Sequence, residues 1–223
     1  MKEGKLIVVE GACDGIGKTT QYMLLNEHLQ RDGKSIVTHH FPSYGTYQGK
    51  AVEMYLSGNY GQISELSPYF INSLYANDRS ITWYTTLKQE FEQGKIVLLD
   101  RYTTSSLIYQ SAQIEDISKK KDFINYVCDF EYEKLGLKRP DNVIFLHAPF
   151  DLVTEIRNAR KQNEGVSNDI HERDLEFMKK VYESAMFIAD YLGWDKVQCD
   201  ENGQIRGIND IHNDVYRLVK GKM

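Results

Sequence analysis

A chain of 223 residues with 41% hydrophobic and 26% charged content has the make-up of an ordinary globular domain, and no Pro-, Gly- or Ser-rich linker divides it, so one domain over residues 1–223 is expected. The formal net charge of −5 excludes broad, nonspecific nucleic-acid affinity, which needs distributed basic residues to release counterions, yet Lys18, Arg79, Arg101, Arg157 and Arg160 could converge on a small anion. Cys13, Cys128 and Cys199 are odd in number, widely spaced and without a C-x-x-C pair, which points away from a disulfide scaffold or zinc site and toward a reducing, cytoplasmic setting.

Lys5 to Glu10 reads as a short buried strand, too brief and too charged at Glu10 to be a signal peptide, and no later stretch is expected to span a bilayer. It leads into Ala12-Cys13-Asp14-Gly15-Ile16-Gly17-Lys18-Thr19, and a helix follows from Thr20 to Arg31 with Met23, Leu24, Leu25, His28 and Leu29 near one face. A glycine-bearing turn between strand and helix reads as a triphosphate-binding loop, because its amide groups and the helix N-terminus can all face one anion. Lys18 would bridge the β- and γ-phosphates and Thr19 would hold Mg²⁺ through its hydroxyl. The usual loop begins with Gly where this one has Ala12, and Gly11 sits one position too early; a small residue still permits the tight turn. Cys13 reads as a small spacer rather than a reactive thiol.

Ser35 to His39 is a second strand, followed by Phe41-Pro42. Helices are expected from Gly49 to Leu56 and from Ser67 to Gln93, the latter long enough to be bent or broken. Ile96 to Leu99 is an apolar third strand ending in Asp100, and Val143 to Leu146 a fourth bounded by Pro140 and followed by His147. Helices fill Ser105 to Ala112, Lys121 to Leu135, Leu152 to Arg160 and Glu172 to Tyr191; a fifth strand near Lys196 to Gln198 precedes a last helix from Ile208 to Val219. Lys161 to Asp169 is polar with little to bury, and between arginine-bearing helices it reads as a mobile lid. Continuous apolar strands alternating with helices predict a parallel sheet covered on both faces, with ligands beyond the strand C-termini. Glu10, the loop, Phe41-Pro42, Asp100-Arg101 and His147 should therefore share one rim.

Four further groups of residues run in one order with the loop: Phe41-Pro42-Ser43-Tyr44, Leu74-Tyr75-Ala76-Asn77-Asp78-Arg79, Asp100-Arg101-Tyr102 through Ser106 to Tyr109-Gln110, and the arginine-bearing lid. On these residues the chain resembles the thymidylate kinase family. The resemblance implies a three-layer α/β P-loop NTPase fold, a five-stranded parallel sheet flanked by helices on both faces, with a short lid over about residues 157–173. It also implies transfer of the γ-phosphoryl group of MgATP to dTMP, and a homodimer. ATP would be held by Ala12 through Thr20, Mg²⁺ by Thr19 and Asp100, and dTMP by Asp14, Phe41, Pro42, Tyr44, Tyr75, Arg79, Arg101, Ser106 and Tyr109. In that likeness Tyr75 stacks on the base and Arg79, one helical turn on, meets its O4; having donors only, arginine favours a keto group and disfavours the amino group of cytosine. Arg101 would fork onto the acceptor phosphate, Tyr109 would lie under the sugar and leave no room for a 2′-hydroxyl, Ser106 would meet the base edge, and Asp14 would accept from the 3′-hydroxyl.

Two departures from the family pattern stand out. Ser43 replaces an arginine that many relatives carry beside Phe-Pro, so that either Arg101 and Tyr44 suffice for the acceptor phosphate, or Lys50 or a lid residue reaches in, or the acceptor differs. No arginine lies between Asp14 and Lys18, so the catalytic cation is expected from the lid, with Arg157, Arg160 and Arg173 as candidates beside Lys18 and Arg101. Two other readings fit the loop: a deoxynucleoside kinase using Glu10 to deprotonate a 5′-hydroxyl, and a nucleotide-binding regulator without turnover.

Overall fold

The computed structural model describes residues 3–164 and 175–223, with the backbone alone for residues 159–164. Five strands, β1 (Lys5–Gly11), β2 (Ile36–His40), β3 (Ile96–Asp100), β4 (Asn142–His147) and β5 (Asp195–Gln198), form one parallel sheet in the order β2-β3-β1-β4-β5. The helices are α1 (Lys18–Arg31), α2 (Lys50–Leu56), α3 (Pro68–Thr82), α4 (Lys88–Glu92), α5 (Thr103–Ser111), α6 (Ile117–Cys128), α7 (Phe150–Glu164), α8 (Leu175–Tyr191) and α9 (Ile208–Lys220).

The central strands are apolar on both sides because both sides are covered. Ile7 and Val9 of β1 join Leu98, Ile144 and Leu146 in one core with Leu25 and Leu29 of α1 and Val215 and Val219 of α9. Leu6 and Val8, with Val97, Leu99 and Val143, face the other way onto Phe41, Trp83, Leu87 and Phe91. A third cluster packs Leu107 and Ile108 of α5, Phe123 and Val127 of α6, and Val181 and Ala185 of α8 around Phe145. The expected three-layer architecture is thus met. The register then fixes the rim: Val9 and His40 both pair with Asp100, and Glu10 pairs with Phe145.

The long segment from Ser67 is interrupted, as its length led us to expect. Ser67 caps α3 by accepting from the Tyr69 amide at 3.3 Å, with Pro68 in the first turn where its missing N–H is harmless. A π-helical turn, Trp83–Leu87, then joins α3 to α4. A second π turn, Asp129–Lys134, replaces the last turns of the helix expected to run to Leu135. Tyr84 Oη of the first π turn donates to the Leu135 carbonyl just beyond the second at 2.9 Å.

Two expectations change. Helix α7 continues to Glu164, so residues 161–164 of the expected polar lid are helical; the remainder of that lid, including Arg173, lies outside the described residues. A two-stranded hairpin, β6 (Asp200–Glu201) and β7 (Gln204–Ile205), was not anticipated. Its Asn202-Gly203 turn has φ of 52° and 75°, the left-handed pair that a tight hairpin demands and that this dipeptide supplies.

Candidate active site

The loop after β1 closes because its glycines allow what side chains would not. Gly15 and Gly17 have φ of 97° and 91°, and Gly17 is the N-cap of α1. A Cβ on Gly11 would sit 2.8 Å from Ile16 Cγ2, so the close approach falls at Gly11, whereas Ala12 is buried against α5 and donates its amide to Leu146 O at 2.9 Å. Cys13, Asp14, Gly15, Gly17, Lys18, Thr19 and Thr20 line one cavity of about 90 Å³. Cys13 is buried, and desolvation pushes its thiol up to about 12, which disfavours the reactive thiolate.

Around the loop the strand ends assemble alternating charges. Lys18, only 9% exposed, is ion-paired to Asp100 Oδ1, and His40 Nδ1 lies 3.1 Å from Asp100 Oδ2. Burial pushes the Asp100 carboxyl up, but hydrogen bonds from His40 and Lys18 and the Lys18 and Arg101 charges outweigh it and bring it down to about 2. Burial likewise lowers Lys18. Arg101 is one residue past β3 and adopts φ 67°, a left-handed backbone rare for a long side chain; its amide donates to Val9 O at 3.2 Å. That turn sends its guanidinium to Asp14 of the loop, to Glu10 Oε1 at 3.5 Å, and over the Tyr109 ring, 5.5 Å from its centroid. Tyr109 Oη also donates to Asp14 Oδ2 at 3.2 Å. The Asp14 carboxyl is raised by its burial but lowered more by Arg101, Lys18 and these hydrogen bonds.

Glu10 is fully buried and its oxygens are engaged, Oε2 by Thr104 Oγ1 at 2.9 Å and Ser105 Oγ at 2.6 Å, and Oε1 by the Gly11 amide at 3.1 Å. His40 was not singled out in the sequence, although it ends a strand beside Asp100. His147, expected on the same rim, lies toward β5, where burial and Lys196 hold its imidazole below the ordinary range.

Arg157 of α7 lies against the loop: a Cβ on Gly15 would meet Arg157 Cβ at 3.3 Å, and the Arg157 Nε is buried with no hydrogen-bond partner among the described residues. Of the three lid arginines this one is brought to the phosphate loop. The side chain of Arg160 lies outside the described residues, as does Arg173.

Tyr75 and Arg79 share a face of α3 as expected, with Arg79 Cζ 5.9 Å from the Tyr75 ring centroid and Tyr55 packed edge-on to Tyr75. Arg79 is only 1% exposed. It donates from Nε and Nη2 to Glu131 at 2.7 and 2.6 Å, from Nη2 to Ser106 Oγ at 2.8 Å, and from Nη1 to Tyr102 O at 3.4 Å. Glu131, in the second π turn, is the partner that sequence reasoning missed. Its signal was an acid continuing the apolar four-residue stripe of Phe123 and Val127, a place where a carboxylate needs a buried cation.

Phe41 is a core residue, tilted against Tyr102 and edge-on to His39, and the peptide to the buried Pro42 is cis. Tyr44 is more than half exposed and stacks loosely on His40. Ser43 is 4% exposed; its amide donates to Asp78 Oδ2 at 2.8 Å, and its hydroxyl meets His39 Nε2 at 2.9 Å and Thr82 Oγ1 at 3.2 Å. An arginine would not fit there. Lys50 is exposed and paired with Glu53 at 3.1 Å.

The sequence profile of the family described as Thymidylate kinase matches residues 9–208. A thymidylate kinase of Mycobacterium tuberculosis is 32% identical over 179 residues, covering 78% of this chain and 81% of its own. One of an Exiguobacterium species is 31% identical over 220 residues, covering 98% and 97%. The solved thymidylate kinase of Candida albicans superposes with a TM-score of 0.73 over 98% of this chain and 92% of its own, at 21% identity, and so agrees in fold. With the loop, the Asp100-Arg101 rim and the Tyr75-Arg79 face in their family order along matched sequence, this chain belongs to the thymidylate kinase family.

Proposed function

We propose that the protein transfers the γ-phosphoryl group of ATP to the 5′-phosphate of dTMP, giving ADP and dTDP. The observation that carries this reading is Arg101: its left-handed backbone directs one guanidinium to both Asp14 of the phosphate loop and the Tyr109 ring, a position from which it would stand between donor and acceptor phosphates. Loop amides and Lys18 hold the donor phosphates, and Arg101 forks onto the acceptor phosphate. Arg157 neutralises the phosphoryl group in flight. No general base is required, because the acceptor phosphate, with a second pKa of about 6, is already anionic near neutral pH. The four contacts that engage Glu10 argue against its acting as a base toward a neutral 5′-hydroxyl.

The Thr19 hydroxyl and the ionised Asp100 carboxylate are hard oxygen donors, a set that suits Mg²⁺, which keeps waters and phosphate oxygens for its remaining positions. Bound with ATP, the ion supplies neutralisation of the β- and γ-phosphate charge. A homodimer is also proposed: Tyr69 of α3 and Tyr126 of α6 are partly exposed and packed edge-on to each other, aromatic surface suited to a second copy. Among the described residues no helix is long and apolar enough to cross a membrane, and with Cys13 and Cys199 buried as free thiols a reducing, cytoplasmic location is proposed.

The test is coupled ADP release with a panel of nucleosides and monophosphates. dTMP should be the preferred acceptor, and Lys18→Ala should nearly abolish turnover while leaving dTMP binding close to unchanged. Thymidine turnover without dTMP turnover would overturn the reading, as would tight nucleotide binding with no ADP formed.

A further inference from the structure

We propose that Glu131 is the positioning residue that fixes how Arg79 meets the acceptor base, and with it the choice between a keto and an amino group at that base's edge; this rests on the dTMP reading above. Arg79 has five N–H groups. Two go to the Glu131 carboxylate, one to Ser106 Oγ and one to the Tyr102 carbonyl, which leaves one N–H on Nη1 among the contacts of the described residues. A planar guanidinium clamped along its Nε–Nη2 edge cannot turn, so the direction of that last N–H is set by the carboxylate opposite.

The carboxylate is itself held. Thr103 Oγ1 donates to Glu131 Oε2 at 2.8 Å, and the π turn places Glu131 inward at 0% exposure. Burial alone would disfavour the Arg79 charge, but the Glu131 charge and hydrogen bonds raise its pKa and keep it a donor-only group. The same clamp reaches the phosphate end of the cleft. Arg79 Nη1 grips the Tyr102 carbonyl, and the next residue back is Arg101 with its left-handed backbone.

Glu131→Gln is nearly isosteric but turns an amide NH₂ toward an arginine N–H, so the guanidinium must leave its plane. Steady-state kcat and KM for dTMP and dCMP, KM for ATP, and a thermal melt form the test, with Thr103→Val as a milder variant that removes one bond to the carboxylate. In Glu131→Gln, kcat/KM for dTMP should fall about 10- to 100-fold, mainly through KM, with the ATP KM within about two-fold and the preference for dTMP over dCMP reduced at least about tenfold. Thr103→Val should move the preference the same way by about two- to five-fold. A folded Glu131→Gln protein that keeps the full preference overturns the proposal; if that variant does not fold, an unchanged preference in Thr103→Val overturns it. An unsubstituted protein that does not prefer dTMP overturns the functional reading instead, so the two failures are distinct.

Discussion

Replacing Asp100 by asparagine tests the charge network at the strand ends. The carboxyl is 3% exposed and its pKa falls from the ordinary 3.8 to about 2 in the folded protein. Because the folded value is depressed, the contribution to stability is full above the unfolded pKa and disappears as pH falls through about 2. A shift of nearly two units corresponds to about 2 kcal/mol, of which about half remains at pH 3. Asparagine also leaves the buried Lys18 ammonium without its counter-charge, so about 2 kcal/mol is a lower bound at pH 7. For a chain of this length that is a Tm lower by about 4–8 °C. Thermal melts of both proteins by circular dichroism at pH 7, 5, 4 and 3 should give melting curves separated by that amount from pH 7 to 5 and converging toward pH 3. Equal Tm values at pH 7 would refute the reasoning, because they would mean that Asp100 gains nothing from Lys18 and His40 in the free protein.

Arg157→Gln should lower kcat at least about 100-fold with the ATP KM within a few-fold, measured by steady-state ADP release, because a phosphoryl-stabilising cation acts in the transition state. Asn142 opens β4 with both side-chain amide atoms buried and without a partner among the described residues, so Asn142→Leu should raise stability by about 1 kcal/mol in urea unfolding; a loss would show that the amide has a partner in solution. Cys13, with its thiol pushed up to about 12, should resist iodoacetamide at pH 8 in the folded protein while the half-buried Cys128 reacts first, as read by peptide mass spectrometry.

How far the sequence carries toward this site depends on the range of the interaction. Local signals were sufficient for the loop, whose flanks and glycines are contiguous, and for β1, β3 and β4, whose apolar runs are continuous because both faces are buried; β2 and β5, at the sheet edges, are less apolar and partly exposed. A bend or break between Ser67 and Gln93 was foreseeable from length alone, but neither its place after Thr82 nor its form as a π turn was. Ser43 drew notice for the arginine it is not, and only the fold reveals the interior network it belongs to. Glu131 is 52 residues from Arg79, and nothing within its own segment names that partner. The hairpin at Asn202-Gly203 went unread, because strands of two residues carry no periodicity to flag them.

The cations at the loop already hold anions of the protein's own: Asp100 on Lys18, and Asp14 and Glu10 on Arg101. An incoming polyphosphate therefore exchanges one set of negative partners for another and does not neutralise a bare positive surface. Few counterions are released in such an exchange, so nucleotide affinity should depend only weakly on ionic strength. Competitors whose negative groups coincide with these carboxylates must evict them, whereas compounds that leave the carboxylates seated can approach Lys18 and Arg101 through neutral acceptors.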